Sequence, residues 1–193
     1  MTSIPAKQSG PPNSRRASGS ASGGNPYIAL IRKLRRKRVR FVLVGVFGIN
    51  HYATGPALSF TTLDCDILVE PEPKNLLSAL LLLEADGYRL EAGGEPLAAP
   101  DLLLAERIAL NEASVTAIKG KAAQIDILTK VAGYSFSRLN ADRRLFRAGG
   151  TAVPVASLEH LLKSKKICGR KKDLEFLRMY EAQLGSLKNK SGK

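Results

Sequence analysis

Two apolar segments with the composition of β-strands carry acidic residues, and they constrain the fold more than any other feature of the chain. The first is residues 61–71 (TTLDCDILVEP), with Asp64 and Asp66, and the second is residues 124–129 (QIDILT), with Asp126. Successive side chains of a strand point to opposite faces, so Asp64 and Asp66 share one face. If the second strand pairs beside the first, three carboxylates converge.

Carboxylates that converge in this way need a counter-charge. At an effective dielectric constant near 20, two of them about 4 Å apart repel each other by roughly 4 kcal/mol. A proton or a divalent cation relieves this repulsion. The alternative is a half-exposed strand whose polar face happens to be acidic. Leu68 shares the face of the two aspartates, and both faces are apolar beyond Asp66, which favours the bound cation.

The type of ligand predicts the metal and the chemistry. Carboxylate oxygens without partnering His or Cys favour Mg²⁺ or Mn²⁺ over zinc. Magnesium held by two or three aspartates usually completes its coordination with substrate phosphates, so a nucleoside triphosphate (NTP) is the expected substrate. The interpretation is phosphoryl or nucleotidyl transfer, in which Asp64 and Asp66 hold metal and Asp126 completes the site and lowers the pKa of the attacking hydroxyl.

The positive charge of the chain is concentrated at its two ends. The net charge is +13, residues 1–40 contain ten Lys or Arg, and the first acidic residue is Asp64. Residues 163–193 contain ten more basic residues against three acidic ones. Because Lys and Arg neutralise phosphates, such ends indicate contact with a nucleic acid, for example RNA such as tRNA. The alternative is a pair of solvated tails that keep the protein soluble.

Composition also bears on the compartment of the protein. The two cysteines, Cys65 and Cys168, have no metal-ligand spacing, and they are expected to be reduced and buried in a cytoplasmic protein. No apolar run approaches the ~20 residues that span a bilayer, so no membrane association is expected. Residues 1–26 are rich in Ser, Gly, Pro and Asn. They are predicted to be a disordered tail, with an organelle transit peptide as the alternative.

The remaining pattern predicts one domain over residues 27–184 and a basic disordered tail over residues 185–193. Strands and helices are mixed, with a hairpin included, which predicts an α+β fold: a mixed β-sheet flanked by helices, with further helices at the C-terminus. The predicted elements are a basic amphipathic helix (27–40), a buried strand (41–44) ending at Gly45, short helices (46–53 and from 135), a leucine-rich helix (75–86), a hairpin (102–110 with 113–118), a β-type stretch broken at Gly149-Gly150, and two last helices (157–168 and 172–184).

The order of these motifs resembles the polymerase-beta-type nucleotidyltransferase superfamily. The matching pieces are an apolar strand ending in Gly (41–45), a T-x-D-x-D strand (62–69), an I-D-I-L-T strand (125–129) and a K-K-I-C-G-R-K-K-D segment (165–173). The similarity covers about residues 40–184. It is greatest to the small bacterial members, including those paired with antitoxins or similar to abortive-infection toxins. This resemblance implies a nucleotidyltransferase-like fold and a possible partner protein.

The resemblance also implies a set of nucleotide-binding residues: Gly45, Val46, Thr62 and Lys165. Lys165 occupies the family's lysine position and is expected either to reach a nucleotide phosphate or to belong to a solvated helix face. Arg170 and Asp173 are expected to form a structural pair between the last two helices.

Two departures from the family pattern keep a second hypothesis open. Val46 follows Gly45 where the family usually has Gly or Ser, and its branched side chain crowds the path of the phosphates. Phe60 stands where small relatives often have an arginine. The first hypothesis is therefore a Mg²⁺-dependent enzyme that transfers a nucleoside monophosphate to a hydroxyl of RNA or protein. The second is an inactive nucleotidyltransferase-like module that binds a nucleic acid or a partner.

Overall fold

A computed structural model describes residues 25–53, 59–120 and 123–191 of the chain. The helices within these ranges are α1 (Pro26–Arg36), α2 (Gly45–Asn50), α3 (Pro73–Ala85), α4 (Leu102–Leu110), α5 (Phe136–Ala141), α6 (Leu158–Cys168) and α7 (Lys171–Ser191). The strands are β1 (Phe41–Leu43), β2 (Asp64–Val69), β3 (Arg89–Ala92), β4 (Glu95–Pro96), β5 (Val115–Lys119), β6 (Ala123–Leu128), β7 (Arg144–Ala148) and β8 (Thr151–Val155). Residues 1–24 of the predicted N-terminal tail lie outside the described residues.

All eight described strands belong to one mixed sheet in the order β4-β3-β5-β6-β2-β1-β8-β7. The β1–β8 and β2–β6 pairs are parallel and the others antiparallel. The predicted α+β class, with a mixed sheet flanked by helices and closed by C-terminal helices, is confirmed. The central strands β2 and β6 are the ones that carry the three aspartates.

The core lies around the central strands and the helices packed on them. Cys65, Ile67 and Val69 of β2 are fully buried, as are Ile125 and Ile127 of β6. The alternation of these apolar residues with the aspartates places the aspartates on the opposite face of β2 and β6. Helix α3 contributes a row of buried leucines, so its leucine-rich face is core, as expected of such a face.

Helix α1 is amphipathic, as predicted, and ends at Arg36 rather than Arg40. Its apolar residues Tyr27, Leu30, Ile31 and Leu34 are buried in the core, while its Arg and Lys side chains remain exposed. The basic helix is thus an integral part of the domain.

The predicted hairpin of residues 102–110 with 113–118 is wrong, because residues 102–110 form helix α4. Asp101 caps this helix, and its carboxylate accepts a hydrogen bond from the backbone N–H of Leu104 at 2.7 Å. The segment is rich in Leu, Ala, Glu and Arg, which favour helix, and Ala105 and Ile108 provide its buried side. The hairpin at this point of the chain instead joins β5 to β6, and another joins β3 to β4 through Gly93-Gly94.

The cap gives a direct test of this correction. Replacing Asp101 with alanine is expected to lower the free energy of unfolding by about 1 kcal/mol, because the first turn of α4 loses its side-chain acceptor. Asp101→Asn, which retains a cap acceptor, should stay close to the unchanged protein in urea denaturation. Equal stability of the alanine variant and the unchanged protein would contradict the capping role.

The C-terminal helices follow the predicted signals, with one correction. Ser157 caps α6, and Gly169 ends it with a left-handed conformation, φ 62°. Helix α7 then continues to Ser191, so the tail predicted from residue 185 is helical over most of its length. Among the described residues, none of the helices has the length and apolar character needed to cross a membrane.

Candidate active site

The structure brings the three predicted aspartates together on one face of neighbouring strands. In the parallel β2–β6 pair, Asp66 lies directly beside Asp126, and Asp64 lies beside Gln124. Residues that are opposite each other in a parallel pair project to the same side of the sheet, and Asp64 shares that side with Asp66. All three side chains are half-buried.

The electrostatics of the site centre on Asp66. The pKa of this carboxyl is raised to about 6. Burial is the largest cause, and the negative charges of Asp64 and Asp126 also contribute to the rise. Lys165 and Lys172 act in the opposite direction. The ionised form of this carboxyl is stabilised by a nearby cation, because the cation offsets both its desolvation and its repulsion by the other two carboxylates.

Gly45 lies against the carboxylate of Asp66. Its φ is +64°, and a Cβ at this position would stand 1.7 Å from Asp66 Oδ2. The backbone N–H of Val44 also donates to the carbonyl of Asp66 at 3.0 Å. Glycine is required here by both the left-handed conformation and the contact. The side chain of Val46, the next residue, is half-buried.

Hydroxyl and amide groups hold the outer two carboxylates. Thr62 Oγ1 donates to the carboxylate of Asp64. Thr116 Oγ1 donates to Asp126 Oδ1 at 2.8 Å, and Gln124 Nε2 lies 3.3 Å and 3.2 Å from the two oxygens of Asp126. Thr62 was predicted to bind nucleotide, and it lies at the site. Thr116 and Gln124 were not singled out, although the β5–β6 register places Thr116 directly beside Asp126.

Lys165 is held in a partly enclosed position on α6. Its Nζ lies 3.0 Å from Asp173 Oδ1 and 4.9 Å from the centre of the Phe176 ring, and its side chain is 13% exposed. Lys165 therefore does not belong to a solvated helix face, whereas Lys163 and Lys166 of the same helix are exposed. The predicted Arg170–Asp173 pair is present, with 2.6 Å between Arg170 Nε and Asp173 Oδ2.

Phe60, at the position where relatives often have arginine, has a structural role. Its ring packs on Phe176, with 4.7 Å between the ring centres, and near Tyr180. The side chain of Asn50 holds the backbone of Phe60 through two hydrogen bonds, at 2.7 Å and 2.9 Å. The aromatic contacts join the segment before β2 to α7.

The donor atoms of the site suit a hard divalent cation, although they do not enclose one as they stand. The available ligands are carboxylate oxygens, which Mg²⁺ and Mn²⁺ prefer, and the pKa of Asp66 is raised first by burial and then by the negative charges of Asp64 and Asp126. In the part of the chain that the structure describes, no three His, Cys, Asp or Glu side chains are arranged so that they could hold a metal ion. The hydrogen bonds from Thr62 and Thr116 turn oxygens of Asp64 and Asp126 toward protein donors. Rotation of these carboxylates would be part of metal binding.

The mixed sheet, the glycine turn after β1, the aspartates of β2 and β6 and the closing helices define a nucleotidyltransferase-like fold. The chain is similar to a crystal structure from Thermotoga maritima that is provisionally described as a nucleotidyltransferase. The TM-score is 0.50 at 15% sequence identity, and the match covers 82% of this chain and 94% of that one. At this identity the likeness concerns the fold. No protein-family model and no curated protein matches the sequence.

Proposed function

We propose that this chain is a Mg²⁺-dependent nucleotidyltransferase that transfers a nucleoside monophosphate from an NTP to a hydroxyl group, with release of pyrophosphate. The observation that carries the proposal is the side-by-side placement of Asp66 and Asp126 in β2 and β6, with Asp64 on the same face. The nucleotidyltransferase-like fold supports it. The acceptor is RNA, such as tRNA, because the exposed arginines of α1 suit a polyanion, and a hydroxyl of a partner protein is the alternative acceptor. Mn²⁺ can replace Mg²⁺ at such oxygen ligands.

In this proposal each residue of the site has a separate role. Asp64 and Asp66 hold the cation, which when bound neutralises the triphosphate and polarises its phosphorus. Asp126 orients the acceptor hydroxyl and takes its proton as the new O–P bond forms and the bond to pyrophosphate breaks. The backbone of Gly45 and Val46 lies beside the phosphates, and Thr62 fixes the carboxylate of Asp64. Lys165, positioned by Asp173, supplies positive charge.

The second candidate function is an inactive module that binds a nucleic acid or a partner protein, as an antitoxin-associated relative would. Two observations favour it: the half-buried Val46 after Gly45, and the hydrogen bonds from Thr116 and Gln124 that occupy the carboxylate oxygens of Asp126. A module of this kind would retain its binding when the carboxylates are neutralised.

Label transfer from NTPs separates the two candidates. The full chain is incubated with each of the four α-³²P-labelled NTPs, Mg²⁺ and total RNA, with Asp64→Asn in parallel. We expect transfer of label to RNA or protein that falls at least about tenfold in Asp64→Asn, because a metal ligand is lost.

The matched control is Asp101→Asn, which makes the same chemical change at a helix cap on α4. This variant should transfer label like the unchanged protein. Equal signals from Asp64→Asn and the unchanged protein, or no transfer to any acceptor with any NTP, would reject the enzyme and favour the binding module.

A further inference from the structure

Four arginines from two distant parts of the chain line one groove at the β7 edge of the sheet. Arg32, Arg35 and Arg36 project from α1, and Arg147 projects from β7, around a cavity of about 600 Å³. We call this the arginine groove. The basic residues at the chain ends were evident from the sequence, but the proximity of Arg147 to them was not.

The arginine groove is held open by specific contacts. Arg32 Nη2 donates to the carbonyl of Gly149 at 2.8 Å, and Arg32 Nε donates to Thr151 Oγ1 at 3.1 Å. These bonds join α1 to the β7–β8 turn, 117 and 119 residues away in sequence. The two walls of the groove are therefore positioned relative to each other before any ligand arrives.

The positive charge of the arginine groove is uncompensated. Over the residues described, none of its four arginines is within ion-pair distance of a carboxylate, whereas Lys33 and Arg40 of the same region are paired with Asp86 and Glu70. Among the residues that the structure describes, no acidic one lines the groove. Four like charges in one cavity repel each other, and a ligand with several phosphates removes that repulsion.

An aromatic cavity of about 580 Å³ adjoins the arginine groove and shares Arg32 and Arg147 with it. Its walls include Phe47 and His51 of α2 and Phe146 of β7. The His51 ring lies 5.2 Å from Phe47 and 5.8 Å from Phe146, centre to centre. Basic grooves beside aromatic side chains are typical of single-stranded nucleic-acid binding, because arginines take phosphates and aromatic rings stack with bases.

Contacts through Tyr27 link the wall of the aromatic cavity to the segment before Asp64. Phe47 lies two residues after Gly45, which contacts Asp66. Phe47 also packs on Tyr27, with 5.2 Å between ring centres, and the Tyr27 hydroxyl donates to the carbonyl of Leu63 at 2.6 Å. Leu63 immediately precedes Asp64. The wall of the aromatic cavity is thus connected to the segment that carries Asp64.

We propose that the arginine groove and the aromatic cavity together bind a single-stranded nucleic acid, with its phosphates on the four arginines and a base among the aromatic rings. One part of this proposal rests on the proposed function: that the end of the bound strand reacts at the aspartates. It extends that function by assigning the surface on which the acceptor lies. The concave aromatic cavity beside the arginines favours a ligand that carries flat rings as well as phosphates over a phospholipid surface or an acidic peptide.

Binding measurements without NTP or Mg²⁺ test the surface. Fluorescence anisotropy is recorded for the full chain with labelled single-stranded RNA of about 12 nucleotides. The same is done with single-stranded DNA and with a duplex of the same length. In Arg35→Ala/Arg147→Ala, which removes one arginine from each wall, we expect affinity for both single strands to fall about tenfold and the slope of log K against log salt to become shallower by about 1.4, or about 0.7 for each lost phosphate contact.

The control variant is Arg89→Ala/Arg107→Ala, with the same change in net charge on β3 and α4, away from the β7 edge. It should bind the single strands like the unchanged protein. Arg35 and Arg147 are exposed, so the test variant should unfold at the same temperature as the control.

Three outcomes would overturn the proposal: equal loss of affinity in the test and control variants, equal affinity for duplex and single strands, or groove-dependent binding to phosphatidylserine vesicles or polyglutamate without binding to either nucleic acid. If the groove binds RNA and no label is transferred, the proposed function fails while this inference stands.

Discussion

In metal-free buffer at pH 7.5, Asp66→Asn is expected to raise the free energy of unfolding by on the order of 3 kcal/mol, and with Mg²⁺ and NTP to reduce label transfer at least about 100-fold. The loss of transfer follows from the loss of a cation ligand between Asp64 and Asp126. The gain in stability follows from the pKa of Asp66, which is raised from 3.8 to about 6 in the folded protein. The residue that holds the cation in the proposed reaction is expected to lower the stability of the metal-free protein.

The dependence on pH has a definite sign. Because the pKa of Asp66 is higher in the folded than in the unfolded chain, its contribution to stability is fully present below pH 3.8 and is lost as the pH rises through about 6. Asparagine has no charge to lose. The advantage of Asp66→Asn should therefore be under about 1 kcal/mol at pH 4 and should grow to its full size above about pH 6. Urea denaturation in EDTA at several pH values measures this difference.

The metal gives an independent check. Adding Mg²⁺ should stabilise the unchanged protein and leave Asp66→Asn unaffected, since a ligand that binds only the folded state at about 100 times its Kd contributes about 2.7 kcal/mol. A pH-independent effect of Asp66→Asn would show that the charge of Asp66 is already compensated within the protein.

Local sequence signals were enough to predict most of the helices and strands. The leucine-rich segments show where these signals were not sufficient. Ser157 and Gly169 mark the ends of α6 in sequence as they do in the structure. Residues 102–110 form an apolar run that suits a buried strand or a helix, and periodicity alone does not separate the two. The cap at Asp101 was the signal that favoured helix.

The site was partly predictable for the same reason. Alternation along one strand places Asp64 and Asp66 on a common face without knowledge of the fold. The hydrogen bond from Thr116 to Asp126 depends on the β5–β6 register, and the wrong hairpin concealed that register. The proximity of Arg147 to α1 depends on contacts across more than a hundred residues, which no local pattern contains.

Gly45→Ala is expected to lower the free energy of unfolding by about 4 kcal/mol and to abolish label transfer. The left-handed conformation at φ +64° costs an alanine about 1 to 2 kcal/mol, and displacing packed atoms costs a further 1 to 3 kcal/mol or so. The new Cβ would occupy the position next to Asp66 Oδ2, so the carboxylate must rotate or the turn after β1 must shift. Either movement displaces a carboxylate that the proposed reaction uses.

Gly93→Ala separates the two contributions. Gly93 has almost the same φ, +60°, and no atom of the described residues lies within 4 Å of the position of its Cβ, so this variant should lose only the backbone contribution of about 1 to 2 kcal/mol. A double-mutant cycle then isolates the contact with Asp66. In an Asp66→Ala background, where the carboxylate is absent, Gly45→Ala should cost about 2 kcal/mol less than in the unchanged protein. Strict additivity of the two substitutions would mean that Gly45 is required by its backbone conformation alone, and that the turn after β1 does not position the carboxylate of Asp66.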